Sequence, residues 1–322
     1  MAVYTQVSFD EASVLLDRLQ LGQLQSMEGC RGGIENTNYF VTTDTGAYVL
    51  TLFERLSAEQ LPFYLRLMKH LAQCSIPVPE PAAQASGALT YTVNGKPATV
   101  VNRLRGKSEL APQPEHCASV GAWLAKMHLA GQSFDLQQPN LRGLTWWNDT
   151  VPVILPFLQA SQQSLIQSEL AYQNHVAASS VYAALPRGAI HADLFRDNVM
   201  FAPSVSDGDS TLEMTGFFDF YFAGVDTWVF DLAVCLNDWC VDLRRGTPDR
   251  ARTRAFVGAY ESVRALAAAE RKALPGMLRA AALRFWISRL WDLHLPREAS
   301  VLTAHDPTHF EQVLRQRLRF GV

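Results

Sequence analysis

In the first hundred residues, β-rich runs alternate with turn clusters around one stretch of helical periodicity. NYFVTTDTGAYVLTLF holds two such runs flanking the polar residues 43–46, which predicts an antiparallel hairpin. ALTYTV and PATVVNRL flank Asn94 and Gly95, the dipeptide that best tolerates the positive φ of a tight turn, and predict a second hairpin. Between them Leu61, Leu65, Met68 and Leu71 recur at helical spacing and form one apolar stripe. The prolines of SIPVPEPAA then exclude a helix and make that stretch a connector. Beyond about Gly106 long helical patterns take over, as in PEHCASVGAWLAKMHLAG and LIQSELAYQNHVAASSVYAAL. Residues 189–222 are the exception: short β-like runs alternate with polar loops, and SVSDGDST reads as a solvated hairpin tip. The pattern predicts an α+β, bilobal fold. A small antiparallel-sheet lobe with one helix covers residues 1–104, and a larger, mainly helical lobe covers residues 105–322.

Composition narrows the partners. The 322 residues carry 28 basic and 31 acidic side chains, a net charge of −3, with 48% hydrophobic residues. That balance offers no basic stripe for nucleic acid or an anionic membrane surface, so neither is expected as a partner and small molecules are. The five cysteines form no C-x-x-C pair, and the N-terminus has no cationic region followed by an apolar run. No apolar run approaches the roughly 18 residues of a membrane span. Together these features predict a cytoplasmic protein with reduced thiols. The oligomeric state is not legible.

Against this background AIHADLFRDNVMF stands out, because it sets several polar groups inside an apolar frame. His191, Asp193 and Asn198 fit H-x-D-x-x-x-x-N, the spacing of phosphoryl-transfer catalytic loops. Asp193 sits where its carboxylate can accept the proton of a substrate hydroxyl, and Asn198 can offer an amide oxygen to a metal. Asp219, in GFFDFYFAG, supplies a carboxylate at the end of an apparent buried strand. Mg²⁺ prefers oxygen ligands and retains waters and phosphates, so one amide oxygen plus one carboxylate is a sufficient protein share. Leaving such carboxylates buried without a partner or a metal would cost several kcal/mol.

With these motifs the chain resembles the aminoglycoside phosphotransferase and choline kinase superfamily and, within it, the bacterial homoserine kinases of the pseudomonad type. The residues that carry the resemblance are GGIENTNYFV, YVLTLFE, LPFYLRLMKHLA, HADLFRDNVMF, FFDFYFAG, FDLAVCLNDWC and LRFWISRL, spread over nearly the whole chain. The resemblance implies a protein-kinase-like fold that binds ATP between its lobes and phosphorylates L-homoserine with Mg²⁺. It makes Asp193 the base or hydroxyl-orienting group, Asn198 and Asp219 the metal ligands, and His191 and Asp231 braces of the catalytic loop. Residues 29–38, with Gly32, Gly33, Asn36 and Asn38, lie where kinases cover the phosphates. Residues 100–104, with Val101 and Arg103, would be the hinge. One departure is evident: Thr51 occupies the strand position where most kinases carry a phosphate-binding lysine, and Pro62 is expected to interrupt the start of the following helix. Arg196 is then the first candidate for the missing cation and Arg103 the second.

Homoserine presents an ammonium, a carboxylate and a hydroxyl. Asp238 is a candidate partner for the ammonium, Trp239 a candidate wall, and Arg284 or Arg289 a candidate carboxylate fork. The two arginines lie about 140° apart on a helix, so one of them is expected to reach the site. The same residues also admit another small-alcohol kinase, acting on an aminoglycoside, choline or methylthioribose. With Thr51 as its motive, a non-catalytic nucleotide-binding protein is a further alternative.

Overall fold

The computed structural model describes residues 4–30, 36–206, 209–295 and 305–320. By its internal contacts the chain divides into two compact units, with the division along the chain falling between Arg105 and Gly106.

The first unit opens with α1 (Phe9–Arg18), a helix that the apolar pattern alone did not reveal. Its start is a capping box: the Ser8 hydroxyl accepts the Glu11 N–H, and the Glu11 carboxylate accepts the Ser8 N–H at 2.8 Å. Strands β1 (Leu24–Gly29), β2 (Asn36–Thr43) and β3 (Ala47–Phe53) follow, then α2 (Pro62–Gln73), β4 (Tyr91–Val93) and β5 (Lys96–Asn102). The unit thus has two helices, not one. All neighbouring strands are antiparallel, in the order β1-β2-β3-β5-β4. Pro62 begins α2 and does not interrupt it, because a first-turn N–H has no intrahelical acceptor to lose. Ala12, Leu15 and Leu16 of α1 join Val41, Leu50, Leu52, Ala98 and Val100 in one core, where each large apolar side chain contributes about 1.5–3 kcal/mol. Along β2 the pleat buries Thr37, Tyr39 and Val41, while Asn36, Asn38 and Phe40 share the opposite, partly exposed face.

The second unit contains α3 (Pro114–Ala130), α4 (Leu144–Ile154), α5 (Ala160–Ala177) and the short α6 (Ser180–Ala183). The long helical pattern expected after Leu165 is broken at Ser179, whose hydroxyl caps α6 by accepting the Tyr182 N–H. Next come β6 (Arg187–Ile190), β7 (Val199–Ser206), β8 (Asp209–Phe217) and β9 (Gly224–Thr227), forming the antiparallel pairs β6–β9 and β7–β8. Most of SVSDGDST belongs to this second pair, with Ser204 opposite Thr211 and Ser206 opposite Asp209. The stretch thus lies at the end of a β7–β8 hairpin, as expected, and residues 207–208 lie outside the described residues. Helices α7 (Trp228–Trp239), α8 (Arg250–Val263), α9 (Ala268–His294) and α10 (Thr308–Phe320) complete the unit. Every residue of α7 is buried, as an all-round apolar helix must be. Its polar exceptions, Asp231, Asn237 and Asp238, must find partners inside the unit. Among the described residues no helix is long and apolar enough to cross a membrane.

Candidate active site

Strand β6 delivers the chain to His191, and the next residue, Ala192, takes a left-handed conformation with φ of 64°. A non-glycine residue holds that region only when its surroundings impose it. Asp231, in the first turn of α7, imposes it: one carboxylate oxygen accepts the Ala192 N–H at 2.7 Å, and the other accepts the His191 N–H at 2.9 Å. The second oxygen also accepts from His128 Nε2 at 3.0 Å. Burial would raise the Asp231 carboxyl, but the His128 bond, the two nearby imidazoles and the loop amide hold it below its ordinary range. Burial keeps His128 neutral, pulling it down despite Asp231. Its Nδ1 lies 2.7 Å from the Tyr260 hydroxyl, which accepts from Arg264 Nε, and Arg264 is paired with the buried Glu270. A buried polar chain therefore runs from the first turn of α9 to the catalytic loop. The sequence reading missed His128, Tyr260, Arg264 and Glu270, because their meeting depends on α3, α8 and α9 converging.

His191 ties the two halves of the reacting loop together. Its Nδ1 accepts the Asp193 N–H at 3.3 Å, while Nε2 donates to the Phe218 carbonyl at 3.0 Å, one residue before Asp219. These partners assign the neutral Nε2–H tautomer. Asp219 is also left-handed, with φ of 68°, so both sides of the site store backbone strain. Asn198 closes a 3-10 turn, and its Nδ2–H donates to the Asp193 carbonyl at 2.8 Å, which leaves the amide oxygen as the atom it could offer to a metal. Loss of solvent around Asp193 pushes its carboxyl well up. The Arg284 guanidinium opposes that rise, and Asp219, Asp197 and Asp238 add to it. Phe195 packs against Phe285 of α9 and Phe310 of α10, with ring centres 4.4 and 5.9 Å away.

Three sequence expectations require correction. Arg196 is not poised for a phosphate: Nε donates to Asp238 at 3.0 Å, Nη1 donates to the Leu110 carbonyl at 3.1 Å, and Nη2 donates to the Asp238 carbonyl. Asp238 is the ion-pair partner of that guanidinium and its Oδ2 also accepts the Arg196 N–H at 2.8 Å, so its charge is already matched. Trp239 is fully buried, and its indole N–H donates to the Leu194 carbonyl at 2.9 Å. It braces the loop from behind and is not a substrate wall. The C-terminal end of α7 thus fastens the loop on one side and Asp231 fastens it on the other.

The two arginines of α9 make different contacts, although the Asp193 carboxylate acts on both. Arg289 donates to the Asp306 carbonyl at 3.0 Å and lies over the Phe310 ring. Arg284 lies beside Asp193 and is only 3% exposed, and its Nη2 has no hydrogen-bond partner among the described residues. Burial lowers its pKa to about 10, with Asp193 opposing the shift, so it stays charged at neutral pH.

In the first unit, the Thr51 hydroxyl donates to the Asn38 side-chain oxygen at 2.7 Å, across the register that pairs these residues on β3 and β2. Asn36 lies opposite Phe53 and Val101 opposite Val49. Arg103 donates its N–H to the Ala47 carbonyl, and its guanidinium lies 3.8 Å from the centre of the Phe40 ring. Gly32 and Gly33 lie outside the described residues.

A sheet-and-helix fold carrying this aspartate–asparagine–aspartate loop defines the chemistry of a phosphotransferase. The chain belongs to the phosphotransferase enzyme family APH, whose pattern matches residues 26–266. It is 64% identical over 318 residues to the homoserine kinase of Polaromonas naphthalenivorans (strain CJ2), covering 99% of this chain and 98% of that one. It is 54% identical to the homoserine kinase of Paraburkholderia phytofirmans (strain DSM 17436 / LMG 22146 / PsJN), with coverage of 99% and 96%. Among solved structures, an amicoumacin kinase in complex with AMP-PNP, Ca²⁺ and Ami aligns with a TM-score of 0.68 at 16% identity, over 97% of this chain and 93% of that one. A Plasmodium vivax ethanolamine kinase aligns with a TM-score of 0.61 at 12% identity, over 97% and 84%. These structural likenesses establish the shared kinase-like fold.

Proposed function

We propose that the protein is a cytoplasmic kinase that transfers the γ-phosphoryl group of ATP to the side-chain hydroxyl of L-homoserine. Residues 1–104 form its nucleotide-binding lobe, and residues 105–322 carry the catalytic loop and acceptor site. The observation that carries the acceptor is Arg284, a buried cation beside Asp193 whose Nη2 has no partner among the described residues. Such a group calls for an anionic ligand, which the carboxylate of an amino acid supplies. Choline and aminoglycosides would bring a second positive charge to the same place. The homoserine kinases at 64% and 54% identity support the same acceptor.

In this reading the homoserine hydroxyl oxygen attacks the γ-phosphorus, the bond to the β-phosphate oxygen breaks, and ADP leaves. Asp193 orients the hydroxyl and takes its proton. His191 and Asp231 hold Asp193 in position through the loop backbone. Asn198 and Asp219 offer an amide oxygen and a carboxylate, a donor set that fits Mg²⁺. When bound, the ion would neutralise phosphate charge. Arg103, on the partly exposed side of the sheet, takes over from Arg196 as the candidate phosphate cation.

A coupled ADP-release assay offering homoserine, choline, kanamycin and methylthioribose tests the acceptor. Turnover is expected with homoserine, and a clear preference for any other acceptor, or none at all, overturns the reading. For the metal, Asp219→Ala is expected to weaken nucleotide binding about tenfold or more in the presence of Mg²⁺ and little in its absence. Equal loss in both titrations would make Asp219 a structural residue.

A further inference from the structure

The buried polar chain that ends on the catalytic loop has a direction, which follows from counting its donors. Asp231 is ionised and can only accept, so His128 Nε2, 3.0 Å away, is the donor. The His128 ring is neutral, so its Nδ1 accepts, and the Tyr260 hydroxyl 2.7 Å away gives its proton to it. The hydroxyl oxygen keeps a lone pair for Arg264 Nε, which donates at 2.9 Å. Arg264 is turned by Glu270, whose Oε2 accepts from Nη1 at 3.0 Å and from the Ala267 N–H at 2.9 Å. Every proton in the chain therefore points one way, from Arg264 towards Asp231. An imidazolium at His128 would direct two donors at the Tyr260 oxygen and leave the hydroxyl hydrogen without an acceptor among the described residues.

Packing holds the same ring from its faces and edge. The Trp228 ring stacks on His128 with 5.6 Å between centres and 8° between planes, and the Tyr260 ring meets it edge-on at 5.7 Å. The Arg264 guanidinium lies over the Trp228 and Tyr260 rings, at 4.7 and 5.2 Å. His128, Asp231, Tyr260 and Glu270 are all fully buried, so bulk water does not replace a lost partner. At the far end of the chain, Ala192 holds its left-handed φ of 64° because Asp231 accepts the Ala192 and His191 N–H groups on separate oxygens. Asp193 is the next residue, so this turn sets where its carboxylate points.

We infer that Tyr260 is a positioning residue for phosphoryl transfer: its hydroxyl, oriented by Arg264, fixes the His128 ring that fastens Asp231, and so aims Asp193 from α8. Tyr260 acts through His128 and Asp231, not on the substrate. The inference rests on the reading of Asp193 as the acceptor of the hydroxyl proton, and it extends the machinery to a helix that the catalytic motif does not include. Without the hydroxyl, Nδ1 has no donor and the imidazole is tied at Nε2 alone. The ring can then tilt about its bond to Asp231, and the tilt passes to the two loop amides on the same carboxylate.

The test compares wild type, Tyr260→Phe, His128→Gln, His128→Phe and the double variant Tyr260→Phe with His128→Phe. Each is measured by steady-state kinetics on homoserine and ATP, by melting curves, and by ring-nitrogen NMR of histidine-labelled protein. Tyr260→Phe keeps the aromatic packing and removes one hydroxyl. Its kcat is expected to fall about 10- to 100-fold, the effect of a small misplacement of a reacting group, while KM for ATP and for homoserine stays within about twofold. The His128 resonances, assigned by their absence in His128→Gln, report the neutral Nε2–H tautomer in wild type and shift in Tyr260→Phe. His128→Gln keeps an N–H for Asp231 and retains more kcat than His128→Phe. In the His128→Phe background Tyr260→Phe costs nothing further, because the chain is already cut. Unchanged kcat in Tyr260→Phe, a fall only in proportion to the folded fraction, or losses that add fully in the double variant would overturn the inference. If the kcat loss appears but Asp193→Asn turns over normally, the reading of Asp193 falls and Tyr260 stands as a positioning residue of the loop. If wild type prefers a different alcohol, the acceptor reading falls and the same comparison on that alcohol decides Tyr260.

Discussion

Asp193→Asn is expected to yield a folded, nucleotide-binding protein whose turnover on homoserine falls by roughly 10²- to 10⁴-fold, the usual worth of a positioned proton acceptor. The same variant is expected to melt at a higher temperature than wild type when nucleotide and metal are left out. Both effects have one origin. Asp193 sits where solvent is scarce and where Asp219, Asp197 and Asp238 add negative potential, against which the Arg284 guanidinium is a partial offset. Its folded pKa lies above the unfolded value of about 3.9, so ionising it disfavours the folded state. The penalty is absent at low pH, grows as pH rises above about 4, and is complete above the folded pKa. Asparagine keeps the shape and removes the charge. The stability gain should therefore be largest at neutral to alkaline pH and shrink towards pH 4. Paired melting curves and initial rates across this range test both halves, and near-wild-type turnover would remove Asp193 from the mechanism.

Arg196→Ala is expected to act in the opposite sense, destabilising the fold by roughly 3–5 kcal/mol, the cost of leaving one member of a buried ion pair behind. Asp238 would keep its charge with only the Arg196 N–H as partner, and the Leu110 carbonyl would lose its donor. For a unit of this size the melting temperature should fall by roughly ten degrees. Activity should fall with the folded fraction, while KM for ATP in the surviving protein is unchanged. Replacing both members together, as Arg196→Met with Asp238→Leu, should recover much of the stability, because no uncompensated charge remains. A normal melting temperature with a sharply lower kcat would return Arg196 to the phosphates.

The candidate loop was legible because contiguous chain carries it: His191, Asp193 and Asn198 lie within eight positions, and Asp219 follows the next hairpin. The hairpin at Asn94 was equally legible, since its φ of 50° followed by 75° at Gly95 is what that dipeptide favours. What failed were judgements about which opposite charges meet. Arg196 and Asp238 are separated by 42 positions, and periodicity cannot show that two such groups neutralise each other in the interior. Their charges therefore read as ligands for phosphate and ammonium. The α1 helix left a clue that the apolar stripe overshadowed, the Ser8 to Glu11 capping spacing.

Thr51 bears on how such an enzyme can be governed. In protein kinases the strand lysine pairs with a glutamate on the neighbouring helix, and making or breaking that pair turns the enzyme on or off. Here the position carries a neutral hydroxyl already satisfied by Asn38, and α2 begins with Pro62 and has no acidic residue in its first turn. Moving this helix would break no ion pair at Thr51, so this route to an off state is closed. A device that governs this chain would have to act elsewhere than on a strand–helix ion pair at Thr51.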